Sequence, residues 1–335
     1  MIEACPFRTS GDIQLEVVLS LMLMNQNDGP GEDPMKPMVF RGMRVLDFGC
    51  GKGSLLSALR TFSPAVLPFI EYVGVDQNRD ALEFAATKGE LQYPWGPDLA
   101  TSTPLSKALR SVRFIPAEAF PSALPDESYD MIHVVNVLHH LHPVTDLPEF
   151  LNNALGRLTW GGFLVFEDLF LGDYPVDLHV PLYGCPGAVY LGPAELSSIF
   201  YLPTGCPGCY RYFRKERPGA TGRVQYWFGF TYVLKKGIRI SSFPWAEAFL
   251  PGLVLALKKM TNQAQLAQKR KETTSGAASA QDETRWYQEY TARLEKVLSV
   301  VDEKRVKEAL RPFVMNARDN PAQAVEHSYD ILNRY

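Results

Sequence analysis

The chain has 335 residues, 46% hydrophobic and 21% charged, with a formal net charge of −3. It is too apolar for a disordered chain, too weakly charged overall for a nucleic-acid tail, and long enough for one large core with an appendage or for two domains. The apolar stretch Val17 to Met24 falls well short of the ~20 residues that a membrane helix needs.

Charge is distributed unevenly. Residues 1–204 carry a net −12, residues 205–240 a net +7 and residues 241–335 a net +2. The five cysteines, Cys5, Cys50, Cys185, Cys206 and Cys209, are odd in number and few for this length, which argues against a disulfide framework. Glu3, Asp12 and Glu16 do not fit an export signal. A cytoplasmic protein without membrane attachment is expected.

In chain order, residues 12–24 read as a short helix, and Pro30, Pro34 and Pro37 then break structure. Strands are expected at 44–48, 72–76, 112–115, 129–135 and 163–166. Helices are expected at 54–61, 79–88 and near 146–158, with a turn at Trp160-Gly161-Gly162. Strands alternating with helices of this size predict a parallel sheet covered on both faces. Residues 170–208 are rich in Pro, Gly and Tyr and read as a lid-like insertion. Two strands follow, at 210–213 and 224–234. The tail from Pro244 has helical patterns around 246–270, 282–300 and 302–317, with a flexible link over 271–284. Leu294, Val297 and Val301 have the spacing of a helix-packing face.

The strongest chemical signal is Val45 to Leu55, VLDFGCGKGSL. A strand ends at an acid, and Gly49, Gly51 and Gly53 then make a tight turn into a helix. No side chain there keeps a ligand from the backbone, and the helix N-terminus offers free N–H groups. The spacing is neither that of a Walker A loop nor G-x-G-x-x-G. The next strand ends at Asp76, where a carboxylate meets the ribose hydroxyls of a bound nucleoside or caps the following helix.

These residues resemble the class I S-adenosylmethionine-dependent methyltransferases. The resemblance covers roughly residues 40–170. VLDFGCGKG resembles the family's first motif and VGVDQN its ribose-binding acid. PAEAFPSALPDESYDMIHVVNVLHHL resembles the adenine region and fourth strand, and LGRLTWGGFLVFED the fifth. It implies a Rossmann-like methyltransferase fold, with a mostly parallel seven-stranded sheet and helices on both faces, plus a helical C-terminal extension. The expected divisions are an N-terminal cap at 1–40, a methyltransferase domain at 41–243 and the extension at 244–335.

The resemblance also implies that S-adenosyl-L-methionine is the cofactor. Asp47, Gly49, Cys50, Gly51 and Gly53 would surround its methionine part. Asp76 and Gln77 would hold the ribose, Ala117 and Glu118 the adenine, and Asn136 would lie near the sulfonium. The chain departs from the family at Pro116, where an acid is usual. Because the donor is already activated, transfer rests mainly on holding donor and acceptor in line. A base is needed only where the acceptor carries a proton. His139, His140, His142, Glu167 and Asp168 are candidates, with His139 and Asp168 preferred as catalytic residues.

No metal is expected in catalysis. His179, Cys185, Cys206 and Cys209 contain one C-x-x-C pair, which reads either as a structural zinc set or as a Pro-Gly turn with incidental thiols. Tyr174, Tyr183, Tyr190, Phe200 and Tyr201 either line a pocket or form the core of a lid. In the basic stretch, Arg211, Arg214, Lys215, Arg217 and Arg223 interleave with Tyr210, Tyr212, Phe213, Tyr226 and Trp227. That pattern suits RNA or a solvated strand edge. The chain has neither an Asn-Pro-Pro-Tyr nor a Lys-Asp-Lys-Glu set, nor the double-glutamate loop of arginine methyltransferases. The expected activity is therefore methylation of a small molecule, with O-methylation as the transfer. RNA or protein methylation through the 210–239 hairpin and a non-catalytic scaffold are the alternatives. The C-terminal helices are the expected site of a homodimer or protein partner.

Overall fold

The two apolar runs that end in acids become neighbouring parallel strands. β1 (Met43–Phe48) lies beside β2 (Ile70–Asp76), from Met43 opposite Ile70 to Phe48 opposite Val75. β3 (Ser111–Pro116) continues the sheet beyond β2 and ends with Pro116 beside Asp76. On the other side of β1 runs β4 (Tyr129–Val135), with His133 beside Asp47. β5 (Leu158–Leu169) follows the helix α3 (Asp146–Arg157) in the chain and runs parallel to β4. The last strand, β7 (Val224–Lys235), runs antiparallel between β5 and β6 (Cys209–Pro218). The order is β3-β2-β1-β4-β5-β7-β6, a seven-stranded sheet that is parallel except for β7. The computed structural model describes residues 42–87, 108–169, 188–204, 208–218, 224–237, 245–274, 278–314 and 320–334, with residues 18, 19, 21, 22 and 39.

The strand order reverses beside β1. The chain first moves outward through β2 and β3, and then returns to place β4 on the other side. In an open parallel sheet, a ligand binds in the crevice at the carboxyl ends of the strands on either side of that reversal. The glycine turn after β1 lies there.

At the centre of the sheet, in β1, β2, β4 and β5, both faces are largely buried, as near-continuous apolar strands require. On one face, α1 (Ser54–Phe62) presents Leu55, Leu56, Ala58 and Leu59 to a core shared with Val45, Tyr72, Met131 and Val165. Their i, i+3 and i, i+4 spacing puts them on one side of the helix. Each such leucine contributes about 1.5–3 kcal/mol through burial. Val18, Leu21 and Met22 join the same core; residues 18, 19, 21 and 22 are the described part of the helix expected over 12–24, and all four are helical. The alternate strand residues Leu46, Val75, Ile132, Val134, Leu164 and Phe166 are buried on the other face.

β5 is longer than its expected core of 163–166, because Trp160-Gly161-Gly162 lies inside the strand rather than in a turn. The Gly161 N–H donates to the Lys236 carbonyl, and the Lys236 N–H donates to that of Gly162, each at 2.8 Å. These bonds carry the ladder through the glycines. The irregularity appears on the β4 side, where Tyr129 pairs with Leu158 but Met131 with Phe163.

The chain divides into two units. The first comprises Met1–Leu138, Asn153–Gly184 and Cys209–Ser241, and holds the sheet. The second comprises His139–Asn152, Cys185–Gly208 and Ser242–Tyr335. Its helices include α4 (Pro193–Thr204), α5 (Leu250–Thr274), α6 (Ala278–Ser299), α7 (Glu303–Val314) and α8 (Pro321–Arg334). Val254, Val306, Leu310, Val325, Tyr329 and Leu332 form its apolar cluster. Ser198 and Ile199 of α4 lie against the backbone of Gly252, where a Cβ would stand 2.2 Å from the Ser198 carbonyl oxygen.

Neither α4 nor α8 is among the expected helices. α5 extends to Thr274 and α6 begins at Ala278, both within the stretch expected as a flexible link. Among the described residues, no helix is long and apolar enough to cross a membrane.

Candidate active site

Gly49, Gly51 and Gly53 have φ of +78°, +53° and +82°, the left-handed region that glycine enters without steric penalty. Space also dictates Gly49, since a Cβ there would lie 2.3 Å from Val137 Cγ2. The N–H groups of Gly49 and Cys50 donate to the Val75 carbonyl at 2.7 and 3.1 Å. The Gly51 N–H donates to Asp76 Oδ2 at 2.7 Å. The turn is thus fastened to the tip of β2 by backbone and carboxylate together.

Cys50 contributes its backbone to this turn, not its thiol. The side chain is buried, and a Cβ on Gly74 would stand 2.9 Å from its Sγ. Burial pushes the thiol well above its ordinary value, and the Asp47 and Asp76 charges add to the shift. Lys52 lies over the Phe84 ring, 5.0 Å from its centre.

Asp76 is half-buried. Its Oδ1 accepts the Asn78 N–H at 2.8 Å, and Asn78 Oδ1 in turn accepts the Ala81 N–H at 3.1 Å. Asn78 is therefore the N-cap of α2 (Arg79–Thr87), and the helix does not need Asp76 for that role. An ionised carboxylate accepts up to about four hydrogen bonds, so each Asp76 oxygen keeps capacity for a further donor. Gln77 is exposed. Ala117, half-buried, opens a short 3₁₀ turn, and the exposed Glu118 forms a 3.7 Å ion pair with Arg79. Pro116, beside Asp76, offers no side-chain acceptor.

At the end of β4, Asn136 is exposed and left-handed, with φ +53°, a conformation that asparagine adopts more readily than most residues. Its N–H donates to the Glu167 carbonyl at 2.8 Å. Glu167 and Asp168 are both buried near the end of β5 and, by strand alternation, face opposite sides of the sheet. The fold thus gathers Asp47, the glycines, Asp76, Ala117, Asn136 and Asp168 at one edge of the sheet.

The histidine candidates belong to the second unit. His139 is buried and stacks on Tyr190, with ring centres 5.0 Å apart. His140 is exposed, and His142 Nδ1 accepts the Thr145 N–H at 3.3 Å. Of the aromatic residues considered for a pocket, Tyr190 and Phe200 are buried and Tyr201 is exposed. Tyr174, Tyr183, His179, Cys185 and Cys206 lie outside the described residues, and Cys209 is exposed. Among the described residues, no three His, Cys, Asp or Glu side chains are grouped to hold a metal.

Three residues with a part in this region were not singled out by sequence reasoning. Tyr72 and His133 bond the Asp47 carboxylate, and Val137 closes the inner side of Gly49. The available signal was a tyrosine and a histidine inside otherwise apolar strands, because buried polar groups need partners.

The residues fit an adenosyl amino-acid cofactor. A Cβ on Gly51 would meet nothing within 4 Å, so the outer side of the turn is open. No side chain caps the N-terminus of α1, and its first turn holds no acid, which suits a ligand carboxylate. Asp76 stands beside the turn with acceptor capacity for hydroxyls.

A glycine turn and a neighbouring acid stand at the reversal of a mostly parallel sheet whose last strand is inserted antiparallel, the place where open α/β sheets hold nucleotides. A family model described as a methyltransferase domain matches residues 33–187. That segment, a little under half of the chain, is thus similar to methyltransferase domains. Similar solved structures include the YcgJ protein of Bacillus subtilis, 17% identical, covering 58% of this chain and 94% of that one, with a TM-score of 0.40. A methyltransferase of Methanosarcina mazei is 19% identical over 59% of this chain and 94% of its own, with a TM-score of 0.39. Phosphoethanolamine N-methyltransferase 1 of Haemonchus contortus, solved with phosphoethanolamine and S-adenosylhomocysteine, is 12% identical over 68% and 46%, with a TM-score of 0.38. No curated protein matches the chain.

Proposed function

We propose that the chain is a class I methyltransferase with S-adenosylmethionine as its cofactor, and that it acts on a small molecule by O-methylation in the cytoplasm. The supporting observation is the buried carboxylate of Asp168 on the same sheet edge as the glycine turn and Asp76. S-adenosylmethionine supplies an electrophilic methyl group on a sulfonium. Gly49, Gly51 and Gly53 receive its amino-acid part, Asp76 the ribose hydroxyls, and Ala117 and Glu118 the adenine. Asn136, just past the end of β4, is the residue that would lie near the sulfonium. Holding the acceptor in line is the main task left to the chain. A hydroxyl must also lose its proton, and Asp168 and His139 are the proposed acceptors of that proton. His139 is supported by its position in the chain, three residues after Asn136.

Two measurements test this reading. The first is calorimetric titration of S-adenosylhomocysteine into the wild type and Asp76→Ala. Micromolar binding weakened about tenfold or more, equivalent to about 1.4 kcal/mol, supports the cofactor assignment. The second is transfer of labelled methyl from S-adenosylmethionine into a small-molecule cell extract, with Asp168→Asn and His139→Gln alongside. Loss of about 10²-fold or more in kcat for either variant identifies the base. Label in small molecules at undiminished rates in both variants would remove the base assignment. The C-terminal helices are the proposed dimer surface, which sedimentation of the purified chain would read.

One observation favours RNA as a second reading. β6 and β7 continue pairing beyond Leu169, from Arg214 opposite Phe228 to Pro218 opposite Val224. That extension leaves the sheet at the carboxyl end of β5. Label retained by a ribonuclease-sensitive fraction would replace the small-molecule reading.

A further inference from the structure

Beneath the glycine turn, three adjacent strands each contribute one buried polar side chain. Asp47 Oδ2 accepts the Tyr72 hydroxyl at 2.5 Å, and Asp47 Oδ1 lies 2.8 Å from His133 Nδ1. None of the three is more than 2% exposed. A carboxylate only accepts, so the proton of this bond is carried by His133 Nδ1. Nε2 is buried and has no hydrogen-bond partner among the described residues. Burial, and then the Asp47 charge, hold the Tyr72 phenol well above its ordinary value, so it remains an O–H donor.

This arrangement is a costly way to fill a core. An apolar side chain of similar volume at Asp47 would pack without the desolvation penalty of a buried carboxylate. What the carboxylate provides is direction. It ties β1 to β2 on one side and to β4 on the other, on either side of the strand reversal, two residues before Gly49. Both oxygens are engaged with inner partners.

We infer that Asp47, His133 and Tyr72 are positioning residues, which hold the end of β1, and through it the glycine turn, in the form that receives the cofactor. His133 and Tyr72 act from beneath the turn, through Asp47. The inference rests on assigning S-adenosylmethionine to that turn.

The test is calorimetric titration of S-adenosylhomocysteine into wild type, Tyr72→Phe, His133→Leu and His133→Gln, with a melting curve for each. Tyr72→Phe removes one oxygen. His133→Leu removes the donor and fills its volume, and His133→Gln restores an N–H donor. The expected result is binding roughly tenfold weaker in Tyr72→Phe and His133→Leu at temperatures where both are fully folded, with most of the loss recovered in His133→Gln. Folded variants that bind as tightly as the wild type would overturn the inference and leave the network as packing. If His133→Leu fails to fold, Tyr72→Phe decides alone. Absence of binding to the folded wild type would overturn the cofactor assignment itself, and the inference with it.

Discussion

Val137 fills the volume that a side chain on Gly49 would need, its Cγ2 standing 2.3 Å from the Cβ position, whereas Gly51, two residues on, faces open space. The two glycines therefore respond differently to substitution. Gly49→Ala combines a left-handed φ with a clash and is expected to lower stability by about 3 kcal/mol. Gly51→Ala carries only the backbone penalty of about 1–2 kcal/mol, but puts a methyl group where the cofactor would lie. Its S-adenosylhomocysteine affinity is expected to fall at least about tenfold while the protein stays folded. Urea unfolding and calorimetry on both variants check this. Unchanged affinity in Gly51→Ala would show that the open side is not the ligand side.

Cys50 and Cys209 should separate under alkylation. Only the thiolate reacts, and burial with two neighbouring carboxylates holds Cys50 in the thiol form at neutral pH and well above it. Cys209 is exposed. Iodoacetamide at pH 8 should label Cys209 in the native protein and reach Cys50 only after unfolding, as read by peptide mass spectrometry. Equal labelling of both in the folded state would contradict the inward placement of Cys50.

Lys236 anchors the start of β5 from within. Its ammonium is buried and donates to the Leu158 carbonyl at 2.8 Å and to Glu127 at 3.2 Å. Lys236→Met keeps the stem but leaves the carbonyl without this donor, an expected loss of about 2 kcal/mol in urea unfolding. Glu127 is largely exposed, so Glu127→Gln should cost less than about 1 kcal/mol. Equal losses would mean that the Leu158 bond carries little of the effect.

In the second unit, Gly252 is set by helix contact rather than by backbone conformation. Gly252→Ala forces α5 away from α4, at about 1–3 kcal/mol. Faster amide exchange in α4 and α5, with that of β1 to β4 unchanged, is the expected signature. Uniform acceleration across both units would show that the two unfold together.

Much of the sheet was legible because each strand carries its own signal. An apolar run ending in an acid, or opening and closing on glycine, needs no distant partner to be read. The place of Asp76 was legible for the same reason, as the acid that closes the apolar run of β2. The Asp47–His133–Tyr72 network was not, because β1 and β4 become neighbours only through the strand order, which residue spacing does not determine. Asn78 as the cap of α2 hid behind the more conspicuous acid two residues earlier. α8 went unread although Val325, Tyr329 and Leu332 have helical spacing, as Pro321 and the short apolar face gave little contrast with the preceding residues. The second unit draws on three separated stretches of chain, so no single boundary in the sequence describes it.

The insertion of β7 between β5 and β6 also governs the order in which the sheet can close during synthesis. β6 leaves the ribosome before the strand it pairs with, and the outer edge of β5 waits for that same strand. A nascent chain that stops before residue 224 therefore carries two strands with unpaired backbone groups, the kind of edge that recruits other chains. Twelve residues, Val224–Lys235, satisfy both at once. Nonsense or frameshift lesions just upstream of them should therefore yield aggregates, whereas single substitutions within β6 leave the edge of β5 covered.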